Sequence, residues 1–203
     1  MRRIALITIF MYLTFAIKGQ DYAKLTSAFS ESYTKEKEGK YQEAVSSLKA
    51  VYDAGSYELN LRLGWLTYLQ GQFTESLNYY NKATELMPYA IEPRLGLVLP
   101  GSSLGNWDLV IAQYNKILEI DPNNTIALYR LGLITYDKKD YKKAYTYFEK
   151  VVNLYPFDYQ SLLMLGWSNY KLGKNREAKI LFNKALLYSP DDTSAKEGLS
   201  LVK

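Results

Sequence analysis

The stretch GLVLPGSSLG, residues 96–105, sets Gly96 and Gly101 at the G-x-x-x-x-G spacing with which backbone amides cradle a nucleotide's phosphates, and Ser103 follows. That chemistry fails on two counts. A phosphate loop places a lysine directly after its second glycine, and here Ser102 stands in that place. Such a loop also follows a strand, whereas this stretch follows a helix-turn.

Other reactive arrangements are thin. The 203 residues include no cysteine and no histidine. Thiolate nucleophiles, disulfides, zinc sites built on Cys or His, and histidine general bases therefore drop out together. The acidic clusters KEKEGK (35–40), DKKD (137–140) and DD (191–192) lack the spaced D-x-D-x-D-G oxygens of a calcium loop, and they read as solvated loops or helix ends. No two carboxylates sit where their pKa values would be driven apart. The expectation is a chain with no catalytic residues, no metal site and no cofactor.

Charge narrows the partners. The N-terminus carries Arg2 and Arg3, an apolar run from Ile4 to Ile17, and then Lys18 and Gly19. A helix of that run would reach roughly 21 Å at 1.5 Å per residue, short of the ~30 Å hydrocarbon core. Residues 1–20 therefore read as a cleaved secretory signal of an exported, periplasmic or secreted protein, with an uncleaved tether as the alternative. Without them 22 basic residues face 21 acidic ones, and the formal charge falls from +4 to +1. Nucleic-acid binding loses its electrostatic footprint. No membrane partner is expected once the signal is removed.

The elements that would position any site are announced by a repeat. Pro88, Pro122, Pro156 and Pro190 are spaced at 34 residues without drift. The same offset links Leu63, Leu97, Leu131 and Leu165; Gly71, Gly105 and Gly173; and Tyr80, Tyr114, Phe148 and Phe182. Glycine or alanine stands where two helices must approach closely, as Gly132 and Ala144 do, with large apolar residues around them at helical spacing. Proline cannot continue a helix, so each of the four would close one, and Asp121-Pro122-Asn123-Asn124 is a turn with Asn available to cap the next helix.

These motifs, LYRLGLITYDKKDYKKAYTYFEKVVNLYP (128–156) and LLMLGWSNYKLGKNREAKILFNKALLYSP (162–190) above all, resemble the tetratricopeptide repeat (TPR) family. Segment 60–88 matches less well. A first unit near 25–58 keeps EGKYQEAVSSLKAVY but loses the Leu-Gly pair and the closing proline. The resemblance implies an all-α, right-handed α-solenoid over residues 21–203. Its helix-turn-helix units would fall at about 25–58, 57–90, 91–124, 125–158 and 159–192, with a capping helix at 193–203.

In that family the first helix of each unit lines a concave surface that takes protein partners. Carried over, the lining residues are Phe29 and Tyr33, then Leu61, Trp65 and Tyr68, then Leu95 and Leu99. Next come Tyr129, Leu133 and Tyr136, and last Leu163, Trp167 and Tyr170. The resemblance thus implies a non-enzymatic scaffold binding a protein or peptide partner in an aromatic and apolar groove. The alternative is a self-associating, homo-oligomeric component of an envelope assembly. A family variant clamps a partner's C-terminal carboxylate with Lys and Asn, but the matching positions here are mostly Leu or aromatic. Arg62 and Arg130 remain the candidate anion contacts.

The frame also relocates GLVLPGSSLG to the first helix of the third unit. Pro93 suits that helix's start. Pro100 removes a hydrogen bond to the Gly96 carbonyl, and Gly101 weakens the helix further. The expectation is a kink or early unwinding at Gly96, Pro100 and Gly101, where either Ser102, Ser103 and freed carbonyls bond an extended peptide or a degenerate repeat merely changes the superhelix's curvature.

Overall fold

The computed structural model describes residues 21–202. The expected signal segment 1–20 lies outside the described residues. Within them the chain forms eleven α-helices in antiparallel pairs: α1 (Tyr22–Lys37) with α2 (Tyr41–Lys49), α3 (Tyr57–Leu69) with α4 (Phe73–Leu86), and α5 (Glu92–Ser103) with α6 (Trp107–Ile120). α7 (Thr125–Asp137) pairs with α8 (Tyr141–Leu154), α9 (Tyr159–Lys171) pairs with α10 (Asn175–Tyr188), and α11 (Thr193–Leu201) closes the stack on α10 and α9. Each pair packs on the next, which is the all-α solenoid with a C-terminal capping helix. Among the described residues no helix is long and apolar enough to cross a membrane.

Local chemistry sets the breaks. Ser56, Asn106, Asn124, Asp140, Asp158 and Asp192 each accept a backbone N–H from the first turn of their helix, supplying partners that the helix cannot provide. Gly39, Gly71, Gly105 and Gly173 turn the chain between paired helices with φ of 69–76°. The fifth such turn is made by Lys139 at φ 63°, where a side chain disfavours the left-handed region. The residue after each turn donates back to a carbonyl five earlier, as Asn106 does to Gly101 at 2.9 Å. Pro88, Pro122, Pro156 and Pro190 each follow the residue that ends a second helix. In the first unit, which lacks that proline, α2 stops after nine residues.

Aromatic rings lock units together. Tyr80 lies against Gly64 and Gly96, Phe148 against Gly132, and Phe182 against Gly166 and Gly198. In each case a Cβ on the glycine would meet the ring at 2.9 Å or less. Fully buried leucines, Leu59, Leu63, Leu66, Leu97 and Leu162, fill the seams around them.

One expectation about α5 is corrected. The helix does not unwind early: it runs through Pro100 to Ser103, and the Leu104 N–H donates to the Pro100 carbonyl at 3.0 Å. Pro100 falls in the last turn, so only its own missing amide is lost. Gly96 and Gly101 serve packing, since Gly96 receives the Tyr80 ring and a Cβ on Gly101 would stand 3.1 Å from Leu109. Ser103 donates to the Leu99 carbonyl of its own helix at 3.2 Å rather than standing free.

Candidate functional site

A cavity of about 730 Å³ opens where α1, α3, α5 and α7 face one another. Arg62, Gly96 and Arg130 occupy the same place in successive units, 34 residues apart, and all three line it. Gly96 projects no side chain between the two arginines. The space this leaves is what the Tyr80 ring and the cavity share.

Of the row expected to line the groove, Phe29, Tyr33, Leu61, Trp65, Leu95 and Leu99 line this cavity, together with Arg62 and Arg130. The other members lie elsewhere. Tyr68 packs between Trp65 and Phe73, each at 5.8 Å between ring centroids. Tyr129, Leu133 and Tyr136 pack on the cluster around Phe148 and Leu165. Leu163, Trp167 and Tyr170 pack on the cluster around Phe182, and the Trp167 indole N–H donates to Ser194 Oγ in α11 at 2.9 Å. At the C-terminal end the row is therefore packing against the cap.

The arginines differ sharply. Arg62 is only 8% exposed, and its guanidinium sits 4.0 Å above the Tyr33 ring. Its Nε donates to Ser32 Oγ at 3.3 Å, and Nη2 approaches Glu36 Oε2 at 2.5 Å, off the N–H axis. The Trp65 indole N–H donates to the other Glu36 oxygen at 2.7 Å. Partial burial pushes the Glu36 carboxyl up, but these contacts with Trp65 and Arg62 win and hold it below the ordinary carboxylate range. Arg62 thus has its counter-charge inside the protein and is not a free anion site, which corrects that expectation. Arg130 is exposed, and among the described residues no carboxylate lies within 4 Å of it.

Several lining residues escaped the sequence reading. Tyr57 donates to Glu92 Oε2 at 3.2 Å, and burial, reinforced by that carboxylate, pushes its phenol up to about 12. Glu58 accepts from Ser56 Oγ at 3.0 Å. Val98 and Ile126 add apolar wall. The floor includes Tyr80 and Tyr114, which come from the second helices α4 and α6. The 34-residue column Tyr80, Tyr114, Phe148, Phe182 held that signal, because its hydroxyls stop halfway along the chain. The arrangement offers aromatic contact, hydrogen-bond donors, the carboxylates of Glu58 and Glu92, and one cation, Arg130, without a carboxylate partner among the described residues.

Comparison with known proteins agrees with the repeat fold. Models of the family described as tetratricopeptide repeat match residues 31–91, 126–158 and 159–192. RNA polymerase-associated protein CTR9 of Caenorhabditis elegans is 30% identical over 101 residues, 49% of this chain and 9% of that protein. Peptidyl-prolyl cis-trans isomerase FKBP4 of Homo sapiens is 26% identical over 162 residues, 79% of this chain and 32% of that one. TPR repeat-containing protein MJ1428 of Methanocaldococcus jannaschii is 25% identical over 208 residues, 92% of this chain and 35% of that one. The chain therefore spans only a minor part of these curated relatives. Among solved structures, a tetratricopeptide repeat protein from Parabacteroides merdae superposes with a TM-score of 0.75 at 23% identity, covering 89% of this chain and 72% of that one. MamA superposes at 0.69 with 21% identity, covering 81% and 91%.

Proposed function

Because the chain carries tetratricopeptide repeats, we propose that it is a non-enzymatic scaffold that receives a protein or peptide partner in the cavity on its first helices. The observation that carries this reading is the open space of about 730 Å³ walled by Trp65, Leu61, Leu95 and Leu99. Rigid aromatic and apolar walls give large contact area at small entropic cost. Export belongs to the same reading: Arg2, Arg3 and the apolar run Ile4–Ile17 support a secretory signal, so the partner is an extracytoplasmic protein.

Affinity capture with the protein and with Leu99→Asp tests it. Leu99 is half-buried on the cavity wall, so a carboxylate there disrupts the site without opening the core. Loss of specific partners in the variant supports the groove; identical partner sets from both proteins would end the proposal.

Self-association is the second reading, favoured by one surface feature. Phe157 (55% exposed) and Tyr188 (58% exposed) pack edge-on at 5.4 Å, beside the equally exposed Tyr155. Light scattering on the purified protein separates the two readings. A defined oligomer that Phe157→Ser dissolves favours this one, and a monomer removes it.

A further inference from the structure

The near-neutral total of residues 21–203 conceals a strong asymmetry. The turns that join α7 to α8 and α9 to α10 lie side by side at one edge of the stack, because the two helix pairs pack in the same sense. Lys138, Lys139, Lys142 and Lys143 surround the first turn, and Lys171, Lys174, Arg176 and Lys179 surround the second; all eight are exposed. The Lys174 ammonium stands 4.5 Å from the centroid of the Tyr145 ring on α8, which joins the two groups into one face. The acidic residues there are Asp137, Asp140, Glu149 and Glu177. Asp140 accepts the Lys143 backbone N–H and Glu149 accepts from the Tyr145 hydroxyl. Eight positive charges thus face four negative ones, while the rest of residues 21–203 carries 14 against 17.

Among the described residues, no carboxylate lies within 4 Å of any of the eight cations. The first unit's turn differs: Lys35 pairs with Glu43 at 2.8 Å and Lys40 with Glu38 at 2.9 Å. The patch also works against the fold in two further ways. Lys139 holds φ 63° where the other four turns use glycine. Lys142 and Lys143 stand in the first turn of α8, where the helix dipole favours acids and where α2, α4 and α6 place Glu43, Glu75 and Asp108. A chain shaped by stability alone would carry glycine at position 139 and an acid in that turn. Several local costs gathered on one exposed face point to a use for its charge.

We propose that this edge of the fourth and fifth units docks on a lipid bilayer that carries anionic headgroups. Seven of the eight cations are lysines, whose compact, hydrated charges on flexible stems answer a field of negative charge, whereas one planar carboxylate or phosphate is better met by the arginine fork. Ile180 follows Lys179 and is 51% exposed, and an aliphatic side chain beside cations suits the headgroup layer. On the export reading, the apolar run Ile4–Ile17 already brings the chain to a membrane. None of the patch residues lines the cavity, so docking leaves the groove open to its own partner.

The test is flotation of the full chain with vesicles of phosphatidylcholine alone and of phosphatidylcholine with about one third phosphatidylglycerol. Binding to the neutral vesicles measures what the N-terminal apolar run contributes. The anionic vesicles are expected to bind about tenfold or more tightly than the neutral ones at about 0.1 M salt, and the difference is expected to vanish near about 0.5 M. Lys139→Gly and Lys142→Gln should each weaken anionic binding about three- to fivefold and leave neutral binding unchanged. Lys116→Gln, on α6 outside the patch, should change neither. Lys139→Gly relieves a strained turn and is expected to raise stability, so its weaker binding would not come from a damaged fold. Equal binding to the two kinds of vesicle, or variants that bind as the parent does, overturns the proposal. So does capture by poly-glutamate or a mixed-sequence oligonucleotide, lost in the same variants, while anionic vesicles show no preference: the patch would then serve a polyanion of another class.

Discussion

The ring of Tyr80 lies where the first side-chain carbon of residue 96 would project, so Gly96 and Tyr80 specify each other. Alanine is the better helix former by about 1 kcal/mol, and an isolated helix would gain from Gly96→Ala. Here the new methyl group must displace a buried ring, and overpacking of that kind costs roughly 1–3 kcal/mol. The packing cost outweighs the propensity gain. Urea denaturation of Gly96→Ala should show a loss of stability, and Tyr80→Leu in the same chain should recover part of it through a coupling between the two sites. A strictly additive double variant would contradict the contact.

The third unit also lacks an aromatic pair that its neighbours have. Tyr68 packs on Phe73 at 5.8 Å and Tyr136 on Tyr141 at 5.1 Å. The matching residues between them are Ser102 and Trp107, and Trp107 stands 52% exposed. Ser102→Tyr should restore the pair and stabilise the protein by about 0.5–1.5 kcal/mol. The indole fluorescence of Trp107 should shift to the blue as its surroundings become drier. No change in either reading would mean that the turn around Gly105 holds the ring away.

How much of this was legible in the sequence depends on which neighbour a residue meets. The closing prolines and the turn glycines act within their own few residues, so their period was readable and the helix breaks follow them. Trp65 and Trp167 occupy the same place in their units, yet Trp65 faces the cavity while Trp167 bonds to Ser194 in the capping helix. Nothing within either unit separates them; the difference is the element packed next door. Pro100 misled for a related reason. Its cost is counted per lost amide, and in the last turn of α5 one lost amide does not end a helix held by Tyr80, Leu109 and Val110. Arg62 looked like an anion contact because its partner, Glu36, lies 26 residues away on α1. The floor tyrosines were missed because they come from second helices, which the repeat pattern assigns to the convex back.

Lys139 offers a simple stability gain. It alone among the five turn residues with positive φ carries a side chain, and the left-handed conformation costs a residue with a Cβ roughly 1–2 kcal/mol. Glycine removes that strain but adds freedom to the unfolded chain, which returns roughly 0.5–1 kcal/mol. Lys139→Gly should therefore stabilise by about 0.5–1 kcal/mol, read as a higher urea midpoint at unchanged slope. Gly105→Ala, which imposes the same strain in the preceding unit, should move the midpoint the other way.

The Glu36–Arg62 pair sets an acid limit on the first interface of the stack. Glu36 titrates below the ordinary carboxylate range in the folded protein because Trp65 and Arg62 hold its charged form against the push of partial burial. A carboxylate with a lowered folded pKa contributes its stability in full above the unfolded value, about 4.3 for Glu. That contribution falls as the pH drops below 4.3 and is gone once the pH passes the folded value. Glu36→Gln keeps an acceptor for the Trp65 indole but leaves the buried Arg62 without a counter-charge, and the expected cost is about 1–3 kcal/mol at neutral pH. Urea midpoints of the protein and of Glu36→Gln, measured from pH 7 down to pH 3, should lie well apart at the top of that range and converge toward its bottom. A gap that stays constant with pH would show that Glu36 acts by shape alone.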